Sequence, residues 1–144
     1  MRIQFSKESD TKHRVTVLRA DGSEESKSLN SRSFLFHDIA HFVIESEVPL
    51  KAGFWGSVAN GESLSASELS GSDVMQAEAL AGPIQSLAKA DAEIPAYLAV
   101  LERVIPENPR LGDLAVSIHK RVRELKGLWR ATNYGKSMEV EWPD

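Results

Sequence analysis

Ser33-Phe34-Leu35-Phe36-His37-Asp38-Ile39-Ala40-His41-Phe42-Val43-Ile44-Glu45 is the stretch on which the architecture turns. In an α-helix each residue advances by about 100°, so His37, His41 and Glu45, at i, i+4 and i+8, share one face. Asp38 falls at the edge of the same narrow stripe. Phe34, Leu35, Phe36, Ile39, Ala40, Phe42, Val43 and Ile44 occupy nearly all the remaining circumference. A helix so widely apolar is expected to be largely buried, with its one polar stripe carrying two imidazoles, two carboxylates and no lysine. Ser31 and Ser33 are the expected N-caps, and Pro49 should stop the helix near Glu47.

Working outward, the segments before this helix have the period of strands. Ile3 and Phe5 alternate with Arg2 and Gln4, and Val15 and Val17 with Arg14 and Thr16. Asp21-Gly22 predicts a two-residue hairpin turn. The polar, serine-rich strand that follows, residues 23–29, reads as an edge. Beyond the helix, residues 48–72 read as a long loop. Helical segments are predicted over 74–81 and 84–90, with a kink or break at Gly82-Pro83. Another covers 95–105. A final amphipathic helix over 110–131 carries Leu114, Ile118, Val122, Leu125 and Trp129, with Asn108 capping and Pro109 at its first position. Met138, Val140 and Trp142 alternate with glutamates as a closing strand, which should join the amino-terminal hairpin. The order β-β-β-α-α-α-α-β segregates strands from helices. The expected fold class is therefore α+β: one domain over residues 1–144, a small antiparallel sheet covered by a bundle of about four helices.

The 144 residues suffice for one core. With 21 acidic against 17 basic side chains, the formal charge of −4 argues against a nucleic-acid binder. The chain has no cysteine, which excludes disulfides, thiolate catalysis and cysteine-based zinc sites. The amino terminus lacks the apolar stretch of a signal peptide, and no apolar run has membrane-spanning length. The expectation is a soluble cytoplasmic protein with no nucleic-acid or membrane partner, for which a homo-oligomer stays open.

Two histidines at i, i+4 can approach one ion, and a divalent transition metal, with zinc, iron or nickel chemically reasonable, is the candidate cofactor. Glu45 lies roughly 12 Å along the axis from His37, at about 1.5 Å per residue. It is better placed to hydrogen-bond His41 from behind the ion than to bind the ion itself. The third ligand should come from a facing helix, as in other helical metal sites. Glu78, among Met75, Ala77, Ala79 and Leu80, is the first choice; Asp113 and His119 are weaker ones. Asp38 stands where the zinc-protease pattern His-Glu-x-x-His has its glutamate. The competing reading is a structural network in which histidine and carboxylate simply hydrogen-bond. Metal-assisted hydrolysis would be the reaction class, with Glu45 or Asp38 accepting a proton.

Gly53-Phe54-Trp55-Gly56 sets two large aromatics between glycines. Phe54 and Trp55 are candidate walls of a pocket or anchors for a partner, against a plain role in capping the core. A non-enzymatic interaction module presenting this loop is the alternative function. His119, Arg123, Lys126 and Arg130 recur as a basic stripe, read as a solvated face rather than an anion site. Phosphate-loop, dinucleotide and nucleophile-elbow motifs are all missing.

The motif His37-Asp38-x-x-His41-x-x-x-Glu45 followed by Gly53-Phe54-Trp55-Gly56, together with Leu128-Trp129-Arg130 and the tail 135–142, resembles a family of small bacterial proteins with no assigned activity. The resemblance implies one complete family domain. It marks His37, Asp38, His41, Glu45, Phe54 and Trp55 as positions to test and supplies no reaction.

Overall fold

The amino-terminal alternation produces a sheet with one apolar face. In the computed structural model, which describes residues 1–66 and 68–143 with the side chain of Ser33 outside the description, β1 (Arg2–Lys7), β2 (Lys12–Leu18) and β3 (Glu24–Asn30) form an antiparallel meander. β4 (Ser137–Glu141) pairs antiparallel with β1, giving the order β3-β2-β1-β4. Ile3 lies opposite Val17 and Val140, and Phe5 opposite Val15 and Met138. All six are buried, so they form one inward face. The polar strand β3 is an edge, as expected.

The β2–β3 connection is longer than the two-residue turn predicted. Arg19 N–H donates to Ser23 O at 2.9 Å, and Gly22 takes φ +87° in a three-residue loop. Asp21 also accepts from Ser23 N–H at 2.8 Å, a local bond that favours the longer turn.

α1 (Ser31–Glu47) lies between this sheet and the remaining helices. Leu35 and every residue from Ile39 through Glu45 are buried. Phe42 meets Trp142 edge-on at 6.2 Å between ring centroids. The N-cap is Asn30, whose Oδ1 accepts from Arg32 N–H at 3.0 Å, because Asn30 ends β3 in an extended conformation. Ser31 instead bonds the His13 ring at 3.0 Å, and the expected cap at Ser33 falls outside the described side chains.

α2 (Phe54–Ala59) interrupts the segment read as loop. Two glycines in a six-residue neighbourhood carry poor helix propensity, so its existence is a tertiary effect. α3 (Ser72–Lys89) is one helix through Gly82-Pro83, so of the expected kink or break the break does not occur. Pro83 deprives the Ala79 carbonyl of its usual donor, but Ala79 is exposed and water can serve. The buried stripe Ala77, Leu80, Ala81, Ile84 and Ala88 runs along both halves.

α4 (Ile94–Val104) and α5 (Leu111–Ala131) complete the bundle, each packing on the other. Asn108 does not cap α5; its Oδ1 accepts from Arg110 N–H at 2.9 Å in a turn just before the helix. The basic stripe on α5 also differs from its expected form. His119 and Lys126 are buried, because α3 and α4 cover that side. The Lys126 ammonium donates to Ala88 O at 2.9 Å and to Asp91 at 2.7 Å, so it closes the carboxyl end of α3. Among the described residues no helix is long and apolar enough to cross a membrane.

Candidate metal centre

The polar stripe of α1 is divided by depth. His37, near the open end, has 38% of its side chain exposed, Asp38 has 14%, His41 3% and Glu45 none. A fully buried carboxylate needs partners for both oxygens, and Glu45 has them. Its Oε2 accepts from His41 Nδ1 at 2.8 Å, and its Oε1 accepts from the backbone N–H of Trp55 at 2.8 Å. Burial nevertheless pushes the Glu45 carboxyl above its ordinary range, opposed by these two bonds.

This contact explains the spacing of the two motifs. Trp55 N–H is one of the free amides opening α2, and Glu45 on α1 satisfies it from another helix. At Gly53 a Cβ would stand 2.5 Å from Glu45 Oε1, so only glycine admits the carboxylate. At Gly56 a Cβ would meet the Lys51 carbonyl oxygen at 1.8 Å. Gly53 therefore lets the Phe54-Trp55 corner press against α1, and Gly56 lets it close on the loop at Lys51.

In the neutral imidazole with Nδ1–H donating to Glu45, His41 directs the lone pair of Nε2 outward. Glu78 comes to it from α3, its Oε1 3.3 Å from His41 Nε2. That separation is short, yet the geometry is not that of a hydrogen bond, and Nε2 is buried without a donor or acceptor in line. A lone pair facing a carboxylate oxygen is repulsive unless a cation lies between them. His37 joins the pair: its ring centroid is 4.5 Å from that of His41. One ligand atom each from His37, His41 and Glu78 lies within 4.8 Å of the others, a cluster that could hold a metal ion. Tetrahedral zinc with bonds of about 2.1 Å wants its donors roughly 3.4 Å apart. Glu78, with 62% of its side chain exposed, has the freedom to close the difference. Neither Asp113 nor His119 belongs to the cluster.

Asp38 lies 3.4 Å from His37 Nδ1 through its Oδ1. This contact raises the His37 pKa above its ordinary value, against the effect of burial. The Asp38 main-chain carbonyl also accepts from Trp55 Nε1 at 3.3 Å.

His37, Asp38, His41 and Glu78 open onto a cavity of about 440 Å³, within the span of small-molecule sites. Val15, Leu29, Phe34, Leu64, Leu69, Val74 and Ala77 supply apolar wall, and Phe54 and Trp55 line it as well. The pocket-wall reading of these two aromatics fits this placement. As a partner anchor Trp55 is corrected: it is wholly buried in its own chain, edge-on to Phe5 and Phe54. Lys27 also lines the cavity and was not singled out from the sequence. A signal was available, because Leu29 must face inward and Lys27 stands two residues away on the same face.

Comparison of the chain with protein-family models, with curated proteins and with solved structures found no match.

Proposed function

We propose that His37, His41 and Glu78 bind a divalent transition metal, and that the centre performs metal-assisted hydrolysis on a small molecule held in the adjoining cavity. The observation that supports this most is His41 Nε2, buried, out of hydrogen-bond alignment and 3.3 Å from an acceptor-only carboxylate. Two imidazoles and one carboxylate leave a coordination position for water, the composition of catalytic zinc sites. A bound ion would polarise a substrate oxygen and bring the pKa of its water toward neutrality.

The surrounding residues divide the remaining work. Glu45 cannot act as a free base, since both oxygens are engaged and none of its side chain reaches solvent. It orients His41 and enriches Nε2 as a donor, the usual part of a carboxylate behind a metal-bound histidine. Asp38 lines the cavity and is the residue left to accept a proton. The interaction-module alternative keeps only Phe54, which is half-buried, since Trp55 is enclosed in its own chain. Of the motifs behind the family resemblance, His37-Asp38-x-x-His41-x-x-x-Glu45 and Gly53-Phe54-Trp55-Gly56 are, in this reading, the parts that build and brace the centre.

Zinc titration of tag-free, chelator-stripped protein tests the proposal. One equivalent should bind, and His37→Ala and His41→Ala should each abolish that binding. Substoichiometric binding unchanged in both variants would overturn it.

A further inference from the structure

β3 turns two charged side chains toward the interior, Glu25 opposite Val17 and Lys27 opposite Val15. Their surroundings differ. Glu25 is fully accommodated: Arg19 pairs with its Oε1 at 2.9 Å, while Ser63 Oγ–H and Leu64 N–H donate to its Oε2 at 2.8 and 3.0 Å. These bonds lower the Glu25 pKa against burial and fasten the 62–66 segment over the sheet edge. Lys27 has no hydrogen bond or ion pair with any described residue, although it is half-buried in the cavity wall. Its stem can pack along the apolar part of that wall while the ammonium, paired with no described carboxylate, stays available to an anion from outside.

We infer that the cavity binds an amphiphilic monoanion, an apolar body ending in a carboxylate, with Lys27 as the anchor for the anionic group. The site is the one read above as a metal centre, and the ligand class is what that reading leaves open. Leu29, Phe34, Leu64 and Val74 offer the apolar body a wall on several sides. A single negative charge fits better than two, because Asp38 and Glu78 line the same cavity and would repel a dianion. An inward lysine on an edge strand also discourages pairing with another sheet. That role requires no ligand and gives no preference among the three probes below.

Octanoate, 1-octanol and octylamine, equal in chain length and different in charge, are titrated calorimetrically into the full chain in chelator at pH 7.5, and again with zinc. Octanoate should bind more tightly than the other two. Lys27→Met should weaken octanoate about tenfold, the scale of one charge-assisted hydrogen bond, while octanol is unaffected and Lys27→Arg retains octanoate. Unchanged octanol binding also reports that the variant is folded. Octanol or octylamine binding as well as octanoate, or octanoate indifferent to Lys27→Met, would overturn the inference. Failure of zinc to bind would refute the metal centre alone, since the comparison in chelator decides Lys27 without it.

Discussion

The seam between α1 and α3 and the seam between α4 and α5 each bury a histidine whose Nε2 lacks a hydrogen-bond partner, yet they differ in what surrounds it. His119, between α4 and α5, stands edge-on to Tyr97 with ring centroids 5.3 Å apart. His13, near the start of β2, is similar, edge-on to Trp129 at 6.1 Å. An imidazole so placed can rest an N–H on the face of the ring, a weak acceptor that asks for nothing further. His41 has no such ring. Its neighbours are a second imidazole and two carboxylates, one behind it and one across from it. An orphaned nitrogen is therefore common to a core histidine and to a metal ligand; the chemistry of the opposite wall separates them.

The largest expected effect tests that separation directly. Zinc at about 100 times its Kd should stabilise the wild type by about 2.7 kcal/mol, or about 5–10 °C in melting temperature, and chelator should reverse it. His41→Ala should remove this stabilisation and His119→Ala should leave it intact. Equal loss in both variants, followed by calorimetric melts, would erase the distinction between the two seams.

A smaller effect should come from behind the metal. Glu45→Gln keeps an acceptor for Trp55 N–H but weakens the hold on His41, and zinc affinity should fall about 10- to 100-fold. Isothermal titration gives the value; an unchanged Kd would mean that Glu45 serves only to close α2. The smallest effect concerns His13. Burial holds its pKa below the ordinary 6.5 and outweighs the pull of Asp38 and Glu8. The unfolded chain then takes up a proton that the native state refuses. Stability is lost as pH falls through about 6.5 toward the lowered native value. Urea melts of the wild type and His13→Gln at pH 5.5 and 7.5 measure it. His37, with its pKa raised, has the opposite sign: its contribution is present below about 6.5 and disappears as pH rises through the native value. A wild type that gains stability on acidification would show that His37 outweighs His13.

Much of this arrangement was legible in the sequence because it depends on period. The alternation of Ile3-Phe5 and Val15-Val17 defined a sheet face, and the i, i+4 spacing of His37 and His41 defined a helix face, whatever the rest of the chain did. The choice of Glu78 followed from one carboxylate among small residues. Where local chemistry and packing compete, the sequence was a poorer guide. Pro83 forecast a kink or break where α3 stays one helix, and Gly53 and Gly56 concealed a helix that exists because Glu45 and Lys51 require close approach. Lys126 read as surface charge, and only the packing of α3 and α4 on α5 made it a buried contact with Ala88 and Asp91. Periodicity is a property of one segment and survives without its neighbours. Burial, the partner of a distant charge and the room for a Cβ belong to pairs of segments far apart in sequence, so tertiary structure alone decided which histidines meet a ring and which glycines admit a carboxylate or a carbonyl.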